Sequence, residues 1–176
     1  MTAAATPPAI DPGPRPDLRW IPVDATTIDR RYQRTLESRR SQSLIQAIAK
    51  NFRWASFQAV LATPTSSGKA WLVIDGQHRI EAAKLCKIAE VPAVVVEAVT
   101  LEEQAAAFVS ANMGRVSVNT FALHHARVAA GDPAAVAANA LCKASGVIIP
   151  RYPIPMTHLK PLETLALGAI VKLPSL

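Results

Sequence analysis

The sequence predicts an α/β fold: a small mixed sheet with flanking helices, followed by a helical C-terminal extension. Three observations predict it. Two short apolar runs, Ala70-Trp71-Leu72-Val73-Ile74 and Val91-Pro92-Ala93-Val94-Val95-Val96, read as strands covered on both faces, with a helical stretch between them. Helix punctuation is concentrated after residue 100, where Thr100 and Glu103 form a capping box and Asp132-Pro133 is a cap followed by proline at the first helical position. Finally, 32 of the 176 residues are Ala and only 5% are aromatic, so the core is built of small, close-packed side chains.

The elements follow in order. Residues 1–16, with five prolines, read as a flexible lead-in. Trp20-Ile21-Pro22-Val23-Asp24 is a short strand, edge-like because of Pro22. Leu44, Ile45, Ile48, Ala49 and Phe52 share one helical face, so a helix is expected over Leu44 to Phe52. Phe57 to Ala62 alternates toward a strand, and Pro64 to Gly68 is turn chemistry before the Ala70 run. A helix over Ile80 to Ile88 carries Glu81, Lys84 and Lys87 as its polar stripe. The helix opened by Thr100 turns Leu101, Ala105, Phe108 and Val109 inward and stops at Gly114. Ser117 or Asn119 caps the next, on which Phe121, His125 and Val128 share a face, and Gly146 closes the Ala-rich helix begun at Pro133. A chain of this length is one domain with an appendage, expected as 17–125 and 126–176.

Charge narrows the function classes. Arg30, Arg31, Arg34, Arg39, Arg40, Lys50 and Arg53 face Glu37 alone, so this one stretch holds the whole net charge of +6. Segregated positive charge suits an anionic partner, nucleic acid or nucleotide, and Arg30, Arg31, Arg39 and Arg40 are the candidate DNA contacts. Two cysteines, Cys86 and Cys142, leave no disulfide framework and no zinc ligand set. His124 and His125 are adjacent on a helix and His158 lies among prolines, so core or surface roles fit them better than metal binding. The start lacks a signal pattern, and the apolar stretch Leu162 to Leu173 is broken by Glu163. A soluble cytoplasmic protein with no membrane partner is expected.

The most informative residues are Asp75-Gly76-Gln77-His78-Arg79, where a buried strand turns directly into a helix. Such a corner presents unsatisfied N–H groups and the positive end of the helix dipole to whatever lies beyond the sheet edge. Gly76 permits a tight turn and close approach of a ligand. Arg79 offers a planar fork for phosphate, and His78 a donor of tunable charge. Asp75 is placed to hold a metal ion bridging phosphates, or simply to cap the helix. An ordinary cap with surface Arg and His would show the same spacing. Two further elements are Asn112-Met113-Gly114-Arg115, at a helix end, and Tyr32-Gln33-Arg34 in the basic stretch.

Together these three elements resemble the ParB/sulfiredoxin superfamily, specifically the N-terminal domain of ParB-like partition proteins, from about Leu18 to Asn119. Tyr32-Gln33-Arg34 stands where the family has a Gln-x-Arg-like box, Gly76-Gln77-His78-Arg79 where it has Gly-Glu-Arg-Arg, and Ala111 to Arg115 where it has Glu-Asn-x-x-Arg. Asp75 to Arg79 is also similar to the signature of a DGQHR subgroup linked to DNA-modification and mobile-element genes. The resemblance implies a nucleotide triphosphate site, CTP in the partition proteins, with phosphates on Gly76, Gln77, His78 and Arg79. It also implies closure by Asn112 and Arg115 over triphosphate and magnesium, Asn112 as a magnesium contact, approach of Arg34, and a DNA-associated role in partition, transcription regulation or phage and plasmid biology. A homodimer is a further implication.

Departures from the pattern keep other readings open. Ala111 replaces the acidic residue of the third box, which puts nucleotide hydrolysis in doubt and leaves Asp75 as the candidate catalytic carboxylate of a nuclease or kinase reading. Gln77 stands where sulfiredoxin has cysteine, so sulfinic acid reduction is not expected, and Cys86 reads as a small packed hydrophobe. A DNA-binding module with a decayed nucleotide pocket is the third reading. The 51 residues from Ala126 are too few for both a helix-turn-helix reader and a dimerisation domain.

Overall fold

A computed structural model describes residues 11–113 and 118–172 of the chain. The chain forms two compact units, one up to Arg115 and one from Val116. The expected boundary at 125/126 falls instead within a helix, Thr120–Ala129.

The first unit is built on a five-stranded mixed sheet. Its strands are β1 (Asp17–Pro22), β2 (Thr26–Thr27), β3 (Val60–Pro64), β4 (Trp71–Asp75) and β5 (Glu90–Val95), in the spatial order β1-β5-β3-β4-β2. β3 and β4 are antiparallel, with a bulge at Leu61/Ala62, while β3 and β5 run parallel and β1 closes the far edge antiparallel to β5. β2 pairs with β4 in parallel over only two residues, too little for any sequence pattern to mark. Alternate strand residues Ile21, Val60, Ala62, Val73, Val91 and Ala93 enter one core with Val23 of the 3-10 turn after β1, completed by Ile80 and Ala83 of α2 (Gln77–Leu85). These are β-branched and small residues, as the composition requires.

Helix α1 (Arg39–Lys50) starts five residues before the expected Leu44 because Ser38 caps it, its hydroxyl accepting the Ser41 N–H. The first turn is polar and carries no apolar period. α2 likewise begins three residues early, at Gln77, and ends at Leu85; Lys87 sits at φ 55 past its end, off the expected polar stripe, while Lys84 and Glu81 pair at 2.8 Å. β3 starts at Val60, not Phe57, because Trp54–Ser56 makes a 3-10 turn. The capping box of α3 (Leu101–Asn112) forms in both directions, but Val109 is exposed and Gln104 turns inward, donating to Ala98 O. The expected stop at Gly114 lies outside the described residues, as does Ser117.

In the second unit α4 (Thr120–Ala129) is capped by Asn119, and α5 (Pro133–Ala144) by Asp132 with proline in its first turn. Phe121, Cys142, Ile149 and Leu167 form its core, the last from the short α6 (Leu167–Ile170). The buried face of α4 carries Phe121 and His124, one turn apart; the expected His125 is half-buried at its side, 3.3 Å from Pro150 O. Among the described residues no helix is long and apolar enough to cross a membrane.

Candidate functional site

The corner from β4 to α2 is set by one backbone conformation. Gly76 is the N-cap of α2 at φ 106 and ψ 18, a left-handed geometry that side chains disfavour. A Cβ built there would lie 2.7 Å from Val60 Cγ1 and 2.9 Å from Arg79 Nη2. The turn is therefore tight on two counts, torsion and space. Glycine leaves α2 with no side-chain cap, whereas Ser38, Thr100, Asn119 and Asp132 cap α1, α3, α4 and α5. The positive end of α2 is thus left without the side-chain oxygen that α1, α3, α4 and α5 receive, a lack it shares with the one-turn α6.

This corner opens into a cavity of about 670 Å³. It is lined by Asp75, Gly76, Gln77, His78 and Arg79 of the corner, by Tyr32, Gln33 and Arg34, by Leu44 and Ile48 of α1, and by Phe108 and Asn112 of α3. Six of the seven expected nucleotide-site residues line one space, Arg34, Gly76, Gln77, His78, Arg79 and Asn112, with Asp75, the catalytic candidate, beside them. The seventh, Arg115, lies outside the described residues.

The polar groups of the wall are unusually short of partners. Gln33 is buried and donates to Val73 O at 2.6 Å, which pins the Tyr32–Arg34 segment to β4, yet its Oε1 has no partner. The Tyr32 hydroxyl and His78 Nε2 are also buried without a well-formed hydrogen bond. Burial pushes the Tyr32 hydroxyl up from its usual value, with the nearby Gln33 amide opposing. Burial also holds the His78 imidazole below 6.5, and the Arg34 charge adds to this, while Asp75 opposes. Arg34 is exposed and lines the same cavity.

Arg79 has a different setting from the open fork that spacing suggests. Its Nη1 donates to Gln58 O at 2.6 Å and Ala59 O at 2.9 Å, and its Nη2 pairs with Asp75 Oδ2 at 3.0 Å. The guanidinium thus ties the start of β3 to the end of β4, across the corner that Gly76 turns. Gln58, Leu44 and Phe108 belong to the site through long-range packing; the ring of Phe108 lies 5.6 Å from that of Tyr32. Nothing in the local pattern around Gln58 marked it.

For a metal, the described residues hold no group of three His, Cys, Asp or Glu side chains. Asn112 directs its Nδ2 onto Phe108 O at 2.8 Å, which leaves Oδ1 as its remaining polar atom. Magnesium takes most of its oxygens from phosphate and water, so Asn112 Oδ1 beside a bound triphosphate would suit it without an all-protein cage. The candidate DNA contacts Arg30, Arg31, Arg39 and Arg40 are all exposed, although Arg31 is paired with Asp29 at 2.5 Å. Arg39 and Arg40 occupy the first turn of α1, where there is no acidic residue.

A mixed sheet in this strand order, with a glycine corner feeding α2 and a roofing α3, is the ParB-like fold. The chain belongs to the ParB N-terminal domain family, whose model matches residues 17–113. Among solved structures, the C-terminally truncated chromosome-partitioning protein ParB from Caulobacter crescentus complexed with CTP-gamma-S is similar at a TM-score of 0.52 and 19% identity, over 64% of this chain and 62% of that one. The likeness is one of fold, and the chain spans under two thirds of the length of that structure. The C. crescentus protein complexed to the centromeric parS site gives a TM-score of 0.43 at 18% identity, covering 62% and 56% of the two chains. A free serine kinase in complex with AMP gives 0.38 at 19% identity, covering 51% and 35%. A comparison with curated proteins finds no match.

Proposed function

We propose that the first unit is a nucleotide triphosphate-binding module of the ParB type, with CTP the favoured nucleotide and magnesium as its companion, acting in a DNA-associated role such as partition, transcription regulation or mobile-element biology. The uncapped N-terminus of α2, opening at Gly76 into a cavity that Gln33, Arg34, Gln77 and His78 also line, is the observation that carries it. Phosphate oxygens meet the first amides of α2, with Arg34 supplying an exposed positive charge in the same cavity. His78 is held neutral and presents a hydrogen-bonding nitrogen rather than a fixed charge. Arg79 and Asp75 act as positioning residues, since their pairing braces the corner. The volume is of the size that small-molecule sites have. The family membership and the CTP-gamma-S complex of the C. crescentus protein support the choice of nucleotide.

Titration calorimetry with CTP, ATP, GTP and UTP in the presence of magnesium tests this. Saturable heat with one nucleotide is expected, weakened about tenfold or more by Arg34→Ala through loss of a charge-assisted contact. Absence of heat with all four removes the reading. The Arg30 to Arg53 stretch is assigned to DNA, since Arg30, Arg39 and Arg40 are exposed and make no ion pair among the described residues. Its binding weakens steeply with salt.

A further inference from the structure

The unit from Val116 lies beyond the stretch that the family model matches and holds a cavity of its own. α4, the start of α5, Pro153-Ile154 and α6 enclose about 530 Å³. Most of the wall is apolar, drawn from Phe121, Leu123, Ile154, Leu165, Leu167 and Val171. One buried polar side chain interrupts it. His124 is 4% exposed, and its Nε2 has no hydrogen-bond partner. Three residues on, and so on the same face of α4, Arg127 also lines the cavity; it is exposed and makes no ion pair among the described residues.

Also at this cavity are Lys172 and Asp132, whose Oδ1 accepts the Ala135 N–H as the α5 cap. Arg127 is a cation here with no ion pair among the described residues. Burial keeps the His124 imidazole below its ordinary value, helped by His125 and Arg127 and opposed by Asp132, so it adds a hydrogen-bonding nitrogen and no second charge. One such cation on a mostly apolar wall suits a monoanion with an apolar body, and suits a triphosphate poorly.

We propose that this cavity binds a small apolar monocarboxylate, its hydrocarbon part against the Phe121 and Leu167 wall and its carboxylate at the end lined by Arg127 and His124. The site is separate from the nucleotide cavity and does not rest on the reading given to it.

Calorimetric titration of the full chain with decanoate, decanol and decylamine, each below its aggregation concentration, tests the proposal. Decanoate is expected to bind at one site per chain, decanol about tenfold more weakly for want of the charged contact, and decylamine not at all. Arg127→Gln, at an exposed position, is expected to bring decanoate down to the affinity of decanol and leave decanol unchanged. Gly168→Leu is expected to weaken both, since Gly168 lines the cavity and a Cβ there meets nothing within 4 Å. Equal affinity for the three probes, titration without saturation, or decanoate binding untouched by both substitutions would overturn it.

Discussion

Single residues decide whether the β4–α2 corner exists. At Gly76, both the positive φ and the 2.7 Å approach to Val60 oppose any side chain. Gly76→Ala is expected to lower stability by about 1–3 kcal/mol, read from urea unfolding, because torsional strain and a displaced Val60 add together. An alanine variant as stable as the parent would show that the corner relaxes freely. His78 and His124 make a second residue-scale prediction. Both imidazoles are held below 6.5 by burial, so the unfolded chain takes up protons first as pH falls. The stability they contribute is complete above 6.5 and declines as pH drops from there through the lower folded values. Urea unfolding at pH about 7.5 and about 5.5 should show this fall, and His78→Phe should reduce it. Legibility at this scale was mixed. Asp75 to Arg79 stood out because glycine between an apolar run and a helical pattern has few uses, but the carbonyls that hold Arg79 are some twenty residues away and invisible to spacing.

At the level of elements, local signals read well and polar first turns did not. The Thr100/Glu103 box and the Asp132-Pro133 start depend on neighbours three residues apart and appear as expected. The openings of α1 and α2 do not show in the apolar pattern because Arg39 to Ser43 and Gln77 to Arg79 have no apolar period; the Ser38 cap and the Gly76 turn set where they begin. β2 exists only because β4 offers it an edge. α1 carries its own tension. Arg39 and Arg40 place two positive charges at a helix N-terminus, which the dipole disfavours. Replacing both by Glu is expected to raise stability by roughly 0.5–2 kcal/mol while abolishing the salt-dependent DNA binding assigned to this stretch. Thermal unfolding beside a fluorescence-anisotropy DNA titration would show the two effects with opposite signs, and unchanged DNA affinity would take these arginines out of the interface.

On the scale of the whole chain there are two cores with no residue in common. All three tryptophans, Trp20, Trp54 and Trp71, belong to the first unit. Tryptophan emission therefore follows that unit alone, while the helical circular dichroism signal follows both. Nucleotide at about 100 times its dissociation constant adds about 2.7 kcal/mol to whatever binds it. The expected outcome is a tryptophan-reported midpoint that rises with CTP and moves away from the part of the helical signal contributed by α4 and α5. A midpoint that stays in place under saturating nucleotide would put the ligand somewhere other than the first unit.

The outermost strand has one more consequence. Among the described residues β1 bonds only to β5, with Pro22 opposite Glu90, so once made it has no strand neighbour until nearly seventy more residues have followed it. The β3–β4 hairpin closes over a short connection and can form on its own much sooner. During translation the nascent chain thus carries Leu18 and Trp20 unpaired past the point where the hairpin is complete. On this order the middle of the sheet is able to form before β1 can dock.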